Sequence, residues 1–73
     1  MEKRYKTEIK AFGKRLKSLR QKGEMTQLDL ELESGISRTE ISRIENGLKN
    51  VEFYTIVKLA EALDISLGEL FKE

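Results

Sequence analysis

Residues 26–47 read TQLDLELESGISRTEISRIENG, and the fold turns on how this stretch divides. Thr26 is followed three positions later by Asp29, and Ser37 by Glu40. In a capping box the first hydroxyl accepts the fourth residue's amide, while the fourth residue's acid reaches back to the first amide. Each box opens a run with apolar residues at helical spacing. The pattern therefore predicts a helix from about Thr26 to Ser34 and another from Ser37 to about Asn46. Gly35 and Gly47 end them, as glycine does where the chain must turn left-handed. Only Ile36 stands between Gly35 and the serine that starts the next helix. So short a link makes the two helices cross steeply.

Working outward, Ile9, Phe12, Leu16 and Leu19 form one stripe, which predicts helix 1 from about Thr7 to Lys22, stopping near Gly23. Residues 1–6 read as a frayed basic arm or an extra helical turn. Helix 4 is expected over Phe53 to Leu63, with Phe53, Ile56, Leu59, Ala60 and Leu63 turned inward. A third capping pair, Ser66 and Glu69, opens a short helix 5 ending at Phe71. Helix 3 buries Ile41 and Ile44. Leu28, Leu30 and Leu32 cannot all face inward, and Leu28 and Leu32 are expected either to pack against helix 1 or the arm, or to line an interface. The fold class is all-α with five helices. Residues 1–7 form the arm or extra turn, and residues 8–73 a single domain.

The chain has 73 residues and a net charge of +1, unevenly spread. Residues 1–23 carry +7, residues 24–36 carry −4, residues 37–50 carry +1 and residues 51–73 carry −3. The basic front is either a face that meets an anion or an ordinary solvated helix surface. Without cysteine or histidine, disulfides, thiolate metal sites and the commonest general base are absent, so no cofactor or metal is expected. No phosphate-cradling glycine loop is present, and the carboxylates sit at capping and surface positions; an enzyme is the least favoured reading. No apolar run approaches the ~20 residues that span a bilayer, and no signal-peptide pattern opens the chain, so a cytoplasmic protein is expected.

Residues 26–47 thus have the proportions of a helix-turn-helix unit, whose second helix enters the DNA major groove. The alternative is a plain pair of packed helices. The residues on the outer face of helix 3 favour DNA: Arg38, Thr39, Ser42 and Arg43 lie opposite Ile41 and Ile44. Arginine pairs bidentately with guanine, and threonine offers a methyl to thymine and a hydroxyl to base or phosphate. Surface solubility is the competing account of these side chains.

The sequence resembles the Cro and phage-repressor type of helix-turn-helix domain, the xenobiotic-response-element class, over roughly Ile9 to Phe71. The resemblance rests on Gly13-Lys14-Arg15-Leu16 with Leu19-Arg20, on Met25-Thr26-Gln27, on Ser34-Gly35-Ile36-Ser37 and on Ile41-Ser42-Arg43-Ile44-Glu45-Asn46-Gly47. It continues through Leu59-Ala60-Glu61-Ala62-Leu63 and Leu67-Gly68-Glu69-Leu70-Phe71. It implies a five-helix, lambda-repressor-like fold that binds double-stranded DNA. It also implies that Gln27 touches a phosphate and braces the first residues of helix 3, with Thr26, Ser37, Asn46 and Lys49 as further phosphate contacts. Arg20 and Glu45 match a family ion pair tying helix 1 to the end of helix 3. Three residues depart from the pattern. Glu31 replaces an alanine at the close approach of helices 2 and 3, Glu24 a helix-ending glycine, and Val51 a proline before helix 4.

The function expected is a sequence-specific transcriptional regulator, a repressor or autoregulator acting by occupancy. An antitoxin or a restriction-modification controller fits the same size. A protein-interaction module that keeps the fold without binding DNA is the reading from another class, and a protein partner is compatible with each. Family members commonly pair two-fold on inverted half-sites, so a homodimer is expected, with Tyr54, Val57, Leu67 and Phe71 as interface candidates.

Overall fold

The computed structural model describes residues 2–72. Five helices follow one another: α1 (Glu2–Lys22), α2 (Gln27–Ser34), α3 (Arg38–Glu45), α4 (Phe53–Leu63) and α5 (Leu67–Phe71). Each supplies at least one wholly buried side chain: Leu16, Leu30, Ile41 with Ile44, Leu59 and Leu70. Ile36 and Ala60 complete this core, and Phe12, Leu19, Ile56, Leu63 and Leu67 pack on its rim. α1 lies against α3 and α5, while α2 lies against α3 and α4.

The three capping pairs all begin helices, but they differ in detail. Thr26 and Asp29 make both reciprocal hydrogen bonds, at 3.0 and 2.9 Å. Ser37 and Ser66 accept the amides of Glu40 and Glu69 at 3.1 and 3.3 Å. Neither of those glutamates reaches back among the described residues. Glu69 instead pairs with Arg15 on α1 at 3.1 Å, and Arg15 also donates to the Glu69 carbonyl at 2.9 Å. The third capping acid therefore ties α5 to α1.

α1 begins at Glu2, ahead of the start expected near Thr7, so residues 2–6 continue the helix as an extra turn; the Thr7 hydroxyl donates to the Lys3 carbonyl at 3.0 Å and Arg4 pairs with Glu8 at 3.6 Å, both one turn apart. Phe53 is 65% exposed instead of inward. The inward arc of α4 centres on Ile56, Leu59 and Leu63, and Phe53 stands about 90° off it in the first turn. Thr55 takes a buried place instead. Leu28 and Leu32 are 46% and 74% exposed, because α2 turns Leu30 and Ser34 inward and so sends the opposite face to solvent.

The helix ends bear on one of the three departures, Glu24. Gly47 adopts φ +70°, its amide bonds the Ile44 carbonyl and the Leu48 amide bonds the Arg43 carbonyl, which closes α3 in a Schellman motif. α1 closes in the same motif, with bonds from Glu24 to Gln21 and from Met25 to Arg20. The left-handed position there is Glu24, at φ +59°, while Gly23 sits one residue too early to serve.

Candidate nucleic-acid interface

Two contacts with α1 set the position of α3. Gly13 of α1 lies so close to the Ile44 and Glu45 carbonyls that any side chain at this position would strike them. The Arg20 guanidinium grips Glu45 with two hydrogen bonds, Nε to Oε2 at 2.6 Å and Nη2 to Oε1 at 2.9 Å. Its Nη1 donates to the Met25 carbonyl at 2.8 Å. Both side chains of the pair are buried, with 8% and 2% exposure. These hydrogen bonds outweigh the desolvation of Arg20 and, with the charge of Glu45, raise the guanidinium above its ordinary value.

Gln27 joins this cluster by donating from Nε2 to Glu45 Oε1 at 3.1 Å. Its link is thus to the end of α3, whereas the family pattern suggests bracing at its start. Glu31, where alanine is usual, finds an amide rather than a cation. Its Oε1 accepts the Arg38 amide at 3.1 Å and so adds a carboxylate cap to α3. This suits the positive end of the helix dipole and removes one amide from any phosphate at that end. At the start of α2, the Gln27 and Leu28 amides have no acceptor among the described residues. The Thr26 amide, and with it the Thr26 hydroxyl, holds the Asp29 carboxyl below the usual carboxylate range.

The outer side of α3 gathers residues from both helices. Gln27, Arg38, Thr39, Ser42 and Arg43 line one shallow, open depression of about 300 Å³. Arg38, Thr39 and Arg43 are exposed and Ser42 is half-buried. Neither arginine side chain has a hydrogen-bond or ion-pair partner among the described residues. This contrasts with Arg4, Arg15 and Arg20, each paired with an acid.

Thr26 and Ser37 each use one lone pair of the hydroxyl in a cap and keep the O–H to donate. Asn46 ties one N–H to the Ser42 carbonyl at 2.8 Å and keeps the other. Lys49 is half-buried in the loop after α3. Among the interface candidates, Tyr54 is 70% and Phe71 56% exposed. Val57 is half-buried, and Leu67 packs on the core rim. Phe71 also stacks on Phe12, with ring centroids 5.3 Å apart.

Two short helices crossing at the three-residue link Gly35-Ile36-Ser37, the second turning unpaired arginines and hydroxyls outward, define a helix-turn-helix domain. The helix-turn-helix family model matches residues 16–70. The chain belongs to that family, in its Cro and phage-repressor branch of DNA-binding transcription regulators. Control protein C.MunI of Mycoplasma sp is 38% identical over 63 residues, covering 85% of each chain. The transcriptional repressor RghR of Bacillus subtilis is 47% identical over 58 residues, which span 78% of this chain but 43% of the repressor. The crystal structure of the restriction-modification controller C.AhdI from Aeromonas hydrophila superposes with a TM-score of 0.87 at 40% identity, over 89% of this chain and 98% of that one.

Proposed function

We propose that this chain regulates transcription by occupying a specific operator, with α3 in the major groove and Arg38, Thr39, Ser42 and Arg43 at base edges. The single observation that carries the reading is the shared depression of Gln27, Arg38, Thr39, Ser42 and Arg43, with both arginines unpaired. Donors left open around it suit phosphates: the Gln27 and Leu28 amides, the Thr26 and Ser37 hydroxyls, the second Asn46 N–H and the Lys49 ammonium. They fix register, while the α3 side chains carry the sequence information.

Four side chains read only a short site, so a homodimer on an inverted repeat supplies the missing selectivity. The apolar surface left open by Tyr54, Val57 and Phe71 offers the contact, and Leu67 is already largely spent on the core. A restriction-modification controller is the more specific reading, supported by resemblance along nearly the full length of C.AhdI.

The test is selection of binders from a random duplex library at physiological salt, where sequence-independent binding is weak. An enriched inverted repeat with half-sites about one helical turn apart supports the proposal. No enrichment by the folded protein overturns it.

A further inference from the structure

α1 carries more positive charge than its packing uses. Lys3, Lys6, Lys10, Lys14 and Lys17 all lie in α1 and are all exposed. At about 100° per residue they share an arc roughly 80° wide, and at about 1.5 Å per residue they extend over about 21 Å. The other described charges of this helix fall outside the arc or are engaged: Arg4 pairs with Glu8, Arg15 with Glu69 and Arg20 with Glu45. None of the five lysines has an acidic partner among the described residues. The result is an unneutralised line of ammonium groups on one flank of one rigid element.

The flank is located by two contacts. Lys10 lies against Gly47, immediately after α3, and Gly13 lies against the carbonyls of Ile44 and Glu45. The middle of the line therefore meets the molecule where α3 ends and the loop with Asn46 and Lys49 begins. Lys3 and Lys6 continue along the helix past this point, in a segment whose residues Glu2–Glu8 are all exposed.

We propose that this lysine line is a second DNA contact. It lies along the phosphate backbone flanking the half-site read by α3 and lengthens the footprint without adding base specificity. Lysine is suited to this, being a compact charge on a flexible stem that neutralises phosphate without the fork that reads guanine. The proposal rests on α3 facing DNA, and the experiment separates the two ideas.

The variant carries Lys3→Gln, Lys6→Gln, Lys14→Gln and Lys17→Gln, sparing Lys10 because its stem packs on Gly47. Circular dichroism first confirms wild-type helicity. Binding is then measured against salt on the selected duplex and on a scrambled duplex of equal length. Each lost phosphate contact lowers the slope of log K against log salt by about 0.9, so about 3–4 units are expected on both duplexes. Random-library selection by the variant should return the wild-type sequence. Trimming the base pairs that flank the half-sites should weaken the wild type and leave the variant unaffected. Slopes within about half a unit of wild type on both duplexes would overturn the proposal. So would loss by the variant of binding to phosphatidylserine-containing vesicles with its DNA slopes unchanged, which would assign the line to a membrane surface. If the wild type selects no sequence, the reading of α3 fails, and the slope on scrambled DNA still decides the role of the lysines.

Discussion

Removing either partner of the Arg20–Glu45 pair should damage the fold more than removing both. In Arg20→Met the Glu45 carboxylate, 2% exposed, keeps only the Gln27 amide as a side-chain donor. In Glu45→Met the guanidinium keeps only the Met25 carbonyl. Breaking a buried pair from one side costs about 3–5 kcal/mol, because a desolvated charge is left behind. The surviving hydrogen bond in each variant places the expectation at the lower end, about 3 kcal/mol. A domain of this size has roughly 4–11 kcal/mol in total, so either single variant should be close to unfolding. The double variant leaves no orphaned charge and fills the space with two flexible apolar side chains. It should lie within about 1–2 kcal/mol of wild type, since such replacements are often neutral. Urea denaturation followed by circular dichroism, run as a double-mutant cycle, measures each corner. Additive losses in the double variant would refute the claim that the two residues act as one desolvated pair.

Other substitutions test the supporting elements. Gly13→Ala should destabilise by about 1–3 kcal/mol in the same denaturation assay, because its Cβ would stand 2.9 Å from the Glu45 carbonyl oxygen and closer still to that of Ile44. Glu24→Gly should stabilise by about 0.5–1 kcal/mol: relief of the left-handed strain at φ +59° exceeds the added freedom of the unfolded chain. Asp29 has a folded-state pKa below its unfolded value, so its contribution is present above about pH 4 and disappears as pH falls through the lower folded-state value. Asp29→Asn should therefore flatten the acid limb of the stability curve, and an unchanged limb would remove the Thr26–Asp29 box from the account.

Features governed by neighbours in sequence were legible before any coordinates. Thr26, Ser37 and Ser66 cap helices where the hydroxyl-to-acid spacing places them, and Gly35 and Gly47 take the left-handed positions. The buried pair Ile41 and Ile44 follows from helical periodicity, and this also fixes which α3 residues face outward. What was not legible depends on distant partners. Glu69 has the spacing of a capping acid but is claimed by Arg15, 54 positions away. Glu31 reaches the α3 amides only because the two helices cross as they do. Phe53 looks like core in a linear pattern, yet α4 turns another face inward. The reason for Gly13, an approach of α1 to the end of α3, is likewise invisible until the helices are docked.

The central claim is that the outer face of α3 reads bases while the surrounding donors hold the backbone. The most direct measurement compares wild type with Arg38→Ala and Arg43→Ala on the selected duplex and on its scrambled counterpart. Each variant should lose about 1–3 kcal/mol on the selected duplex, relax base preference at one position, and lose far less on scrambled DNA. Equal losses on both duplexes would make the arginines mere phosphate contacts. Wild-type affinity for the selected duplex in both variants would contradict the assignment of the reading face.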